Sequence, residues 1–360
     1  MTIFYTYYFD GYVKTKDVPT TATLYLHNRS NGELLNTATS SGAGGYYYME
    51  TTYTGSHYIA CLDPSGGDSY NDLILGNVFP EMSWYEVNNT RALFAGNLWS
   101  SNVISYLEVE ILGNSIDFGD LTAARYYGSA TSSSTRAVFG GGNGGSSTNI
   151  IDYVTIDTIG NATDFGDLTV ARHGLAGCGS STRGLFCGSG NVIDYVTIAS
   201  VGNATDFGDM TVARSYNSAC SSPTRGLVGG GNGSNVIDYI TIASTGNATD
   251  FGDLTVSRSE ISAASNSTRG IFCASNVLDY VTIASTGNAT DFGDQTVNRY
   301  ALGSTCNSTR AVFGGGYAGS ASNVIDYVTI VVTGNATDFG DLLVAGYGYF
   351  ATSSSHGGLQ

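Results

Sequence analysis

Few side chains between residue 90 and the end of this chain have the chemistry that catalysis needs. General acid-base catalysis uses His, Glu or Asp groups whose pKa is tuned in a cleft. This part of the sequence contains only two His, His173 and His356, and three Glu, Glu108, Glu110 and Glu260. No nucleophile and base stand at a recognisable spacing. We therefore predict a non-enzymatic protein with no cofactor; a glycosidase that uses Glu260 with an Asp is the enzymatic alternative.

The tripeptide Asp-Phe-Gly occurs six times, beginning at Asp117, Asp164, Asp206, Asp250, Asp291 and Asp338. In a kinase this tripeptide holds Mg²⁺, but no glycine-rich phosphate loop, paired strand Lys or catalytic-loop motif accompanies it here. The surrounding GNATDFGD offers oxygen ligands, yet too few carboxylates for a recognised calcium loop. We predict a turn at a strand end with Phe packed between repeats, and no metal site.

The basic residues follow a repeat. After Arg29 there is no Lys, and every Arg falls at one of two repeat positions: Arg91, Arg136, Arg183, Arg225, Arg269 and Arg310 follow Thr, and Arg125, Arg172, Arg214, Arg258 and Arg299 end a motif. The formal charge of −16 is therefore a property of the repeat. Nucleic acid and anionic membranes need a basic face, so we exclude both as partners.

Six copies of one motif begin at Thr90, Thr135, Thr182, Thr224, Thr268 and Thr309, at intervals of 41 to 47 residues. This is the period of a propeller blade. In the fourth copy we predict strand a at Tyr216 to Ser221, b at Arg225 to Gly229, c at Val236 to Ile242 and d at Thr249 to Val256. Six blades bury their faces by closing into a ring. The closing blade should take strands b, c and d from about Thr90 to Thr122 and strand a from about Tyr349 to Ser354.

In the blade motif strand b runs into a Gly pair (Gly140-Gly141, Gly229-Gly230 and Gly314-Gly315), and an aspartate-tyrosine strand and an aromatic strand ending in Arg follow. These features resemble the kelch repeat of galactose-oxidase-like central domains. The resemblance covers about residues 90 to 355 and implies a β-propeller. A copper site of the galactose-oxidase kind needs a cluster of His and Tyr that this sequence cannot assemble.

Residues 1 to about 80 lack the repeat. Strand-like runs occur at Ile3 to Val13, Ala22 to His27, Tyr46 to Thr52 and His57 to Leu62, with a turn at Asn31-Gly32. GYVKTKD, ATLYLHNRSNGELLNTATS and GYYYMETTYTGSHYIACL resemble the carboxypeptidase regulatory-like sandwich, a non-catalytic module. The predicted fold is therefore all-β: a small β-sandwich (1–80), a linker (81–89) and a six-bladed kelch-like β-propeller (90–360).

The Cys residues and the N-terminus bear on the compartment. The six Cys have no metal-ligand spacing and are typical of small strand residues in a reducing cytosol; only Cys178 and Cys187 should be neighbours. Met1 to Val13 lacks the pattern of a signal peptide, and no segment has the length and apolarity to span a bilayer. We therefore expect synthesis in a host cytoplasm, no Sec-dependent export, no membrane insertion and no glycosylation of the Asn-Ala-Thr sequons.

Variation among the copies falls on one face. The b-c connections and the first residue after the terminal Arg differ between copies, as binding residues on a rigid frame do. Tyr, Trp and His in these Gly/Ser-rich segments suit contact with a glycan or protein. The candidate ligand-binding residues are Trp99, Tyr126, His173, Tyr300, Tyr317 and Tyr347. Drift in unconstrained loops is the alternative.

The Arg that ends strand d and the Asp of strand c should meet on that same face. The predicted structural pairs are Arg125 with Asp152, Arg172 with Asp194, Arg214 with Asp238, Arg258 with Asp279, and Arg299 with Asp326. Copy one alone replaces the Asp, with Ser105, and copy six alone replaces the Arg, with Gly346. Ring closure would bring these two positions together, so one junction would lack both partners.

Two classes of function are compatible with these features. The first is a virion protein of a phage tail or capsid surface, in which the propeller faces host glycan or protein and the sandwich binds other virion proteins in an oligomeric assembly; the chain is similar to phage structural proteins of this sandwich-plus-repeat kind. The second is an intracellular kelch-type adaptor or a bacterial surface protein. The first is the prediction and the second the alternative.

Overall fold

A computed structural model describes residues 7–12, 14–15, 18–19, 23–28, 34–39, 46–51, 57–62, 75–78, 90–98 and 101–359. The chain divides into two compact units, Met1–Asn88 and Asn89–Gln360. The described residues are all strand and turn apart from one 3₁₀ turn, Gly357–Leu359. The protein is all-β and contains a six-bladed propeller.

The N-terminal unit contains two sheets and a short hairpin. Its strands are β1 (Tyr7–Tyr12), β2 (Lys14–Thr15), β3 (Val18–Pro19), β4 (Thr23–Asn28), β5 (Leu34–Thr39), β6 (Tyr46–Thr51), β7 (His57–Leu62) and β8 (Leu75–Val78). A four-stranded sheet has the order β5-β4-β7-β8, and a two-stranded sheet pairs β1 with β6. Sequence reasoning missed β5 and β8 because LLNTAT and LGNV lack an alternating apolar pattern. The predicted Asn31-Gly32 turn and the 81–89 linker lie outside the described residues.

The propeller strands follow one another blade by blade. They are β9 (Arg91–Asn97), β10 (Ser101–Glu108), β11 (Ile116–Asp120), β12 (Ser129–Ser132), β13 (Arg136–Gly140), β14 (Ile150–Thr155), β15 (Thr163–Asp167), β16 (Ala176–Gly179), β17 (Arg183–Cys187), β18 (Gly190–Thr197), β19 (Thr205–Arg214), β20 (Ser218–Ser221), β21 (Arg225–Gly229), β22 (Ser234–Thr241), β23 (Thr249–Arg258), β24 (Ser262–Ser265), β25 (Arg269–Thr282), β26 (Thr290–Arg299), β27 (Gly303–Cys306), β28 (Arg310–Gly314), β29 (Ser322–Thr329), β30 (Thr337–Gly346) and β31 (Phe350–Ser353).

Each blade is an antiparallel sheet in the order a-b-c-d, such as β20-β21-β22-β23. One blade has the order β24-β25-β26, because β25 runs through both the b and the c positions. That copy has lost the Gly pair around Cys273, so no loop separates its second and third strands. Strand a is shorter than predicted: β20 begins at Ser218, and Tyr216 belongs to the turn before it.

The ring closes with both ends of the propeller sequence. β31 pairs antiparallel with β9, with Phe350 opposite Ala95 and Ser353 opposite Ala92, and the closing sheet has the order β11-β10-β9-β31. The prediction for the closing blade is confirmed. Joining the two ends in one sheet removes the free edges that an open array of blades would expose.

The core lies between consecutive blades. Phe251 of a DFGD motif is 2% exposed and shares a cluster with Leu227 of its own blade and Phe272 of the next. Its ring meets Tyr239 edge-on at 6.4 Å between centroids. The predicted position of this Phe between blades is confirmed, so each blade depends on its neighbours for burial.

Candidate functional site

The face where strands d lead into strands a is built on buried Arg-Asp contacts. Arg214 Nη2 donates to Asp238 Oδ2 at 2.9 Å and to the carbonyl oxygen of Val228 at 2.9 Å. The other pairs form the same contact between Arg125 and Asp152 (2.7 Å), Arg172 and Asp194 (2.6 Å), Arg299 and Asp326 (2.7 Å), and Arg258 and Asp279. All five Asp are 0% exposed. Each Arg comes from one blade and each Asp from the next, so the pairs join neighbouring blades.

A β-bulge and a threonine complete each of these junctions. The pairing of β22 with β23 shifts register between Ile237 and Asp238, and the same shift precedes the Asp of every other Arg-Asp pair. We call each of these five pairs a clamp. Bulges re-aim side chains, here toward the junction. Thr211 Oγ1 then donates to Asp238 Oδ1 at 2.5 Å, so both carboxylate oxygens have partners. Sequence reasoning missed this threonine, although it recurs three residues before each Arg.

The closing junction has lost all three partners and uses neutral groups instead. Leu343 stands at the Thr position, Gly346 at the Arg position and Ser105 at the Asp position. A Cβ on Gly346 would lie 2.8 Å from Cβ of Asn97, so the Asn97 side chain occupies space that an Arg would need. Asn97 Nδ2 donates to Tyr349 Oη at 3.2 Å, and Tyr349 Oη donates to the carbonyl oxygen of Val344 at 2.6 Å. Among the described residues of this junction, no charged side chain is buried.

The second set of Arg joins the blades at the opposite face. Each guanidinium lies 4.4 to 4.8 Å from a Tyr ring of its own strand c, as Arg225 does over Tyr239. Each also donates to a backbone carbonyl of the next blade: Arg225 to Ile283 at 3.0 Å, and Arg310 to Val109 at 3.0 Å across the closure. All eleven Arg from residue 91 onward are therefore engaged within the propeller.

The turns from strand d into strand a form a ring around the propeller axis. Two residues after each Arg position the backbone is left-handed, with φ of 50° at Tyr127, 69° at Gly174, 58° at Tyr216, 53° at Glu260, 58° at Ala301 and 74° at Gly348. Backbone N–H groups link these turns head to tail, as Gly174 N does to Tyr127 O at 2.7 Å and Gly348 N to Ala301 O at 2.8 Å. At one link Ile261 N donates to Tyr216 O at 3.4 Å.

This ring surrounds a cavity of about 420 Å³, which we call the tyrosine cup. Its lining residues are Leu98, Tyr126, Tyr127, Asn143, His173, Tyr216, Glu260, Tyr300, Tyr317 and Tyr347. Five of the six candidate ligand-binding residues lie together here, and the sixth, Trp99, lies outside the described residues. Sequence reasoning missed Tyr127, Tyr216 and Asn143 and considered Glu260 only for catalysis. The sequence carried one signal for Tyr127, Tyr216 and Glu260. The second residue after each Arg varies among the copies as much as the first residue does.

The aromatic rings of the cup lie in two groups. Tyr127 contacts Tyr126 and Tyr216, with centroids 5.3 and 5.0 Å apart. On the other side Tyr317 lies 5.5 Å from Tyr300 and 5.2 Å from Tyr347. Edge-on and tilted pairs at these distances are attractive and hold the rings in place.

Hydrogen bonds hold the polar groups of the cup. Tyr127 Oη donates to Glu260 Oε1 at 2.9 Å, although 133 residues separate them in the chain. His173 Nδ1 lies 2.9 Å from Ser147 Oγ, and its Nε2 lies 3.3 Å from Tyr216 Oη. Burial and the neighbouring charge of Glu260 raise the pKa of the Tyr127 phenol, and burial and the same carboxylate also raise the pKa of Tyr216 and Tyr300. These phenols are therefore neutral donors at neutral pH.

The far end of the propeller axis is closed. Below the cup the space between strands a narrows to cavities of about 80 and 40 Å³. The segment after β31 fills the end, where His356 Nε2 lies 3.0 Å from Ser132 O. A Cβ on Gly358 would lie 1.8 Å from Gly179 O and one on Gly357 2.3 Å from Ser221 O, so only Gly fits. The tyrosine cup is thus a blind recess.

The remaining sequence motifs have structural contacts. The Asn of each GNATDFGD motif accepts, through Oδ1, a hydrogen bond from a DFGD backbone of the preceding blade, as Asn247 does from Asp209 N at 3.0 Å. The described residues contain no cluster of three or more His, Cys, Asp or Glu that could hold a metal ion, and they include no helix with the length and apolarity of a membrane span. The five Cys whose side chains the structure describes are free and buried, and Cys178 and Cys187 belong to one cluster of buried residues, so the predicted neighbours lie close together.

Two comparisons with known proteins yield no relative. No family of proteins and no curated protein sequence matches this chain. The site must therefore be interpreted from its own geometry.

Proposed function

We propose that this protein is a non-enzymatic phage virion component whose kelch-like propeller binds a host-surface ligand in the tyrosine cup. In this proposal the N-terminal unit is a carboxypeptidase regulatory-like module that attaches the propeller to other virion proteins. The division of the chain into two compact units supports such a separation of roles.

The tyrosine cup is the observation that supports binding most directly. The repeat gives every blade the same backbone at the mouth, yet the side chains there differ from blade to blade. Six Tyr, including Tyr127 and Tyr347, converge on one cavity of about 420 Å³. Tyr supplies a large contact area at low entropic cost, and pockets lined by aromatic rings with a few polar groups are typical ligand sites.

The carboxylates of the propeller support binding rather than glycoside hydrolysis. Most glycosidases use two carboxyl groups on either side of the bond they cleave, about 5 to 9.5 Å apart. Among the described lining residues of the cup, Glu260 is the only carboxylate. Glu108 is paired with Arg91, and Glu110 accepts from Thr90 N at 2.9 Å, both at the end of β10.

Loss of cup rings should abolish attachment without unfolding the protein. Tyr300→Ala combined with Tyr347→Ala removes two rings that are exposed or half-buried, and truncation of an aromatic hot spot in a binding site costs about 2 kcal/mol or more. That cost corresponds to at least about a 30-fold weaker Kd for each ring that contacts the ligand. The measurement is binding to an array of bacterial surface glycans and to intact bacterial cells.

A matched control is Val201→Ala with Val332→Ala, at two residues that are 60% and 62% exposed in c-d turns on the opposite face. The control should keep both binding and melting temperature. Unchanged glycan and cell binding by the tyrosine variant would show that the cup is not the attachment site.

A further inference from the structure

We infer that the ligand group held in the tyrosine cup is an alkylammonium cation, with Glu260 as its counter-ion and the Tyr rings as its cage. This inference rests on the proposed binding function and names the chemistry of the same site. Its basis is the charge of Glu260, the Tyr rings of the cup and the positive φ angles of the turns at its mouth.

Glu260 brings a negative charge to the cup that no cation among the described side chains balances. Its Oε1 accepts from Tyr127, and no described Arg or Lys forms an ion pair with it. The Arg of the propeller are held elsewhere, five against Asp and six over Tyr rings between blades. Glu260 is half-buried in the cup, and a carboxylate that has lost part of its contact with water favours a partner of opposite charge. The ligand is the group that can supply one.

The rings of the cup favour the same charge. The face of an aromatic ring carries the negative part of its quadrupole and attracts cations, most of all alkylammonium groups enclosed by several rings. The two groups of rings, around Tyr127 and around Tyr317, border one cavity. Rings and carboxylate together disfavour phosphate, sulfate and carboxylate ligands.

The backbone shows that the side chains at the mouth are retained against a conformational cost. Tyr127, Tyr216 and Glu260 have positive φ, a conformation that only Gly adopts without strain. Gly174 and Gly348 occupy the same turn in other blades, and the free space beside them is taken by the rings of Tyr216 and Tyr127. Gly therefore suffices for the turn. Four blades have a strained residue there, and three of the four supply the two rings and the carboxylate, whereas Ala301 supplies neither.

An alkylammonium group has two sources, and the experiment separates them. One is the free amine of an amino sugar, and the other is the quaternary ammonium of a choline headgroup. The full-length protein is titrated by calorimetry with tetramethylammonium, choline and glucosamine. The matched neutral probes are 3,3-dimethylbutanol, which has the shape of choline without its charge, and N-acetylglucosamine.

We expect at least one cation to bind at least tenfold more tightly than its neutral match. The cation that binds best, choline or glucosamine, identifies the source. Glu260→Gln keeps an acceptor for Tyr127 but removes the charge, so it should weaken the cation at least tenfold and leave the neutral probe unchanged. Asp250→Asn, at an exposed Asp of a DFGD motif, is the charge-matched control and should change neither.

Two results would overturn the inference. One is equal affinity of charged and neutral probes with no effect of Glu260→Gln, and the other is no binding of any cation at millimolar concentration. Either result leaves the proposed function standing if Tyr300→Ala with Tyr347→Ala still abolishes attachment to glycans or cells. Conversely, unchanged attachment in that variant defeats the proposed function, while cation binding in the cup is still measured directly.

Discussion

Two positions in each blade lie only two residues apart, yet one is repeated and the other is not. The position that ends the strand d motif is Arg in five blades, and each of these Arg is buried against an Asp of the next blade. Two residues later the six blades have Tyr127, Gly174, Tyr216, Glu260, Ala301 and Gly348. The backbone has the same left-handed turn at all six. A side chain that must fill a junction has few solutions, whereas one that faces a cavity is free to vary.

The closing junction also shows that the side chains that fill a junction are constrained. It has lost Thr, Arg and Asp together and has gained the Asn97 and Tyr349 hydrogen bond instead. A buried charge without its partner is strongly destabilising, so the partners are exchanged as a set. The residues of the junctions are therefore structural. The candidate site is formed by neighbouring residues that do not have to fill a junction between blades.

Loss of one clamp should have the largest effect on stability. Arg214→Ala leaves Asp238, which is 0% exposed, without its cation, and breaking a buried pair costs about 3 to 5 kcal/mol. The free energy of unfolding, measured by urea denaturation, should fall by that amount. Val212→Ala, at a 51% exposed residue of the same strand, is the control and should change it by less than about 0.5 kcal/mol.

Removal of both charges sharpens that test. The closing junction has no buried ion pair, so a junction can be filled by neutral side chains. Arg214→Met with Asp238→Leu leaves no unpaired buried charge and should therefore be less destabilising than Arg214→Ala alone. A loss from Arg214→Ala no larger than that of Val212→Ala would mean that the clamps do not hold the blades together.

A substitution at the varied position should have a smaller effect of the opposite sign. Ala301 has a φ of 58°, and the left-handed conformation costs a residue with a Cβ about 1 to 2 kcal/mol. Gly avoids that cost but loses about 0.5 to 1 kcal/mol in chain entropy, so Ala301→Gly should raise the free energy of unfolding by up to about 1 kcal/mol.

A change from Gly to Ala at the same turn position of another blade is the control for Ala301→Gly. Gly348→Ala should destabilise, because its Cβ would lie 3.2 Å from the ring of Tyr127 at a φ of 74°. Stabilisation by Gly348→Ala would refute the claim that this turn prefers Gly.

The smallest effect should be a pH dependence at the closed end of the axis. Burial lowers the pKa of His356 below its ordinary value of 6.5, so the unfolded chain binds the proton more readily than the folded one. The stability that neutral His356 contributes is present above pH 6.5 and is lost as the pH falls through the lowered pKa. His356→Gln should remove part of the loss of stability seen between about pH 7.5 and pH 5. An unchanged pH profile in denaturant titrations would contradict this assignment.

Local patterns predicted the blades well and the N-terminal unit less well. In the propeller the repeat supplied six comparisons of one motif, so the strand at Arg225 to Gly229 and the closure by Phe350–Ser353 could be predicted. In the N-terminal unit each strand occurs once, and Leu34–Thr39 lacks the alternation that marks a half-buried strand. The error at Tyr216 has a related cause, since the left-handed φ of a Tyr leaves no mark in the sequence.

The sequence by itself determined the number of blades, their strand order, the ring closure and the partners of the buried charges, because each follows from a repeated pattern or from its interruption. Only the tertiary structure decided which of the varied residues share a cavity. Tyr127 and Glu260 are 133 residues apart and meet because the ring brings the turns of different blades to one axis. Contacts across an axis have no sequence period, so the tyrosine cup and its carboxylate become visible only when the ring is closed.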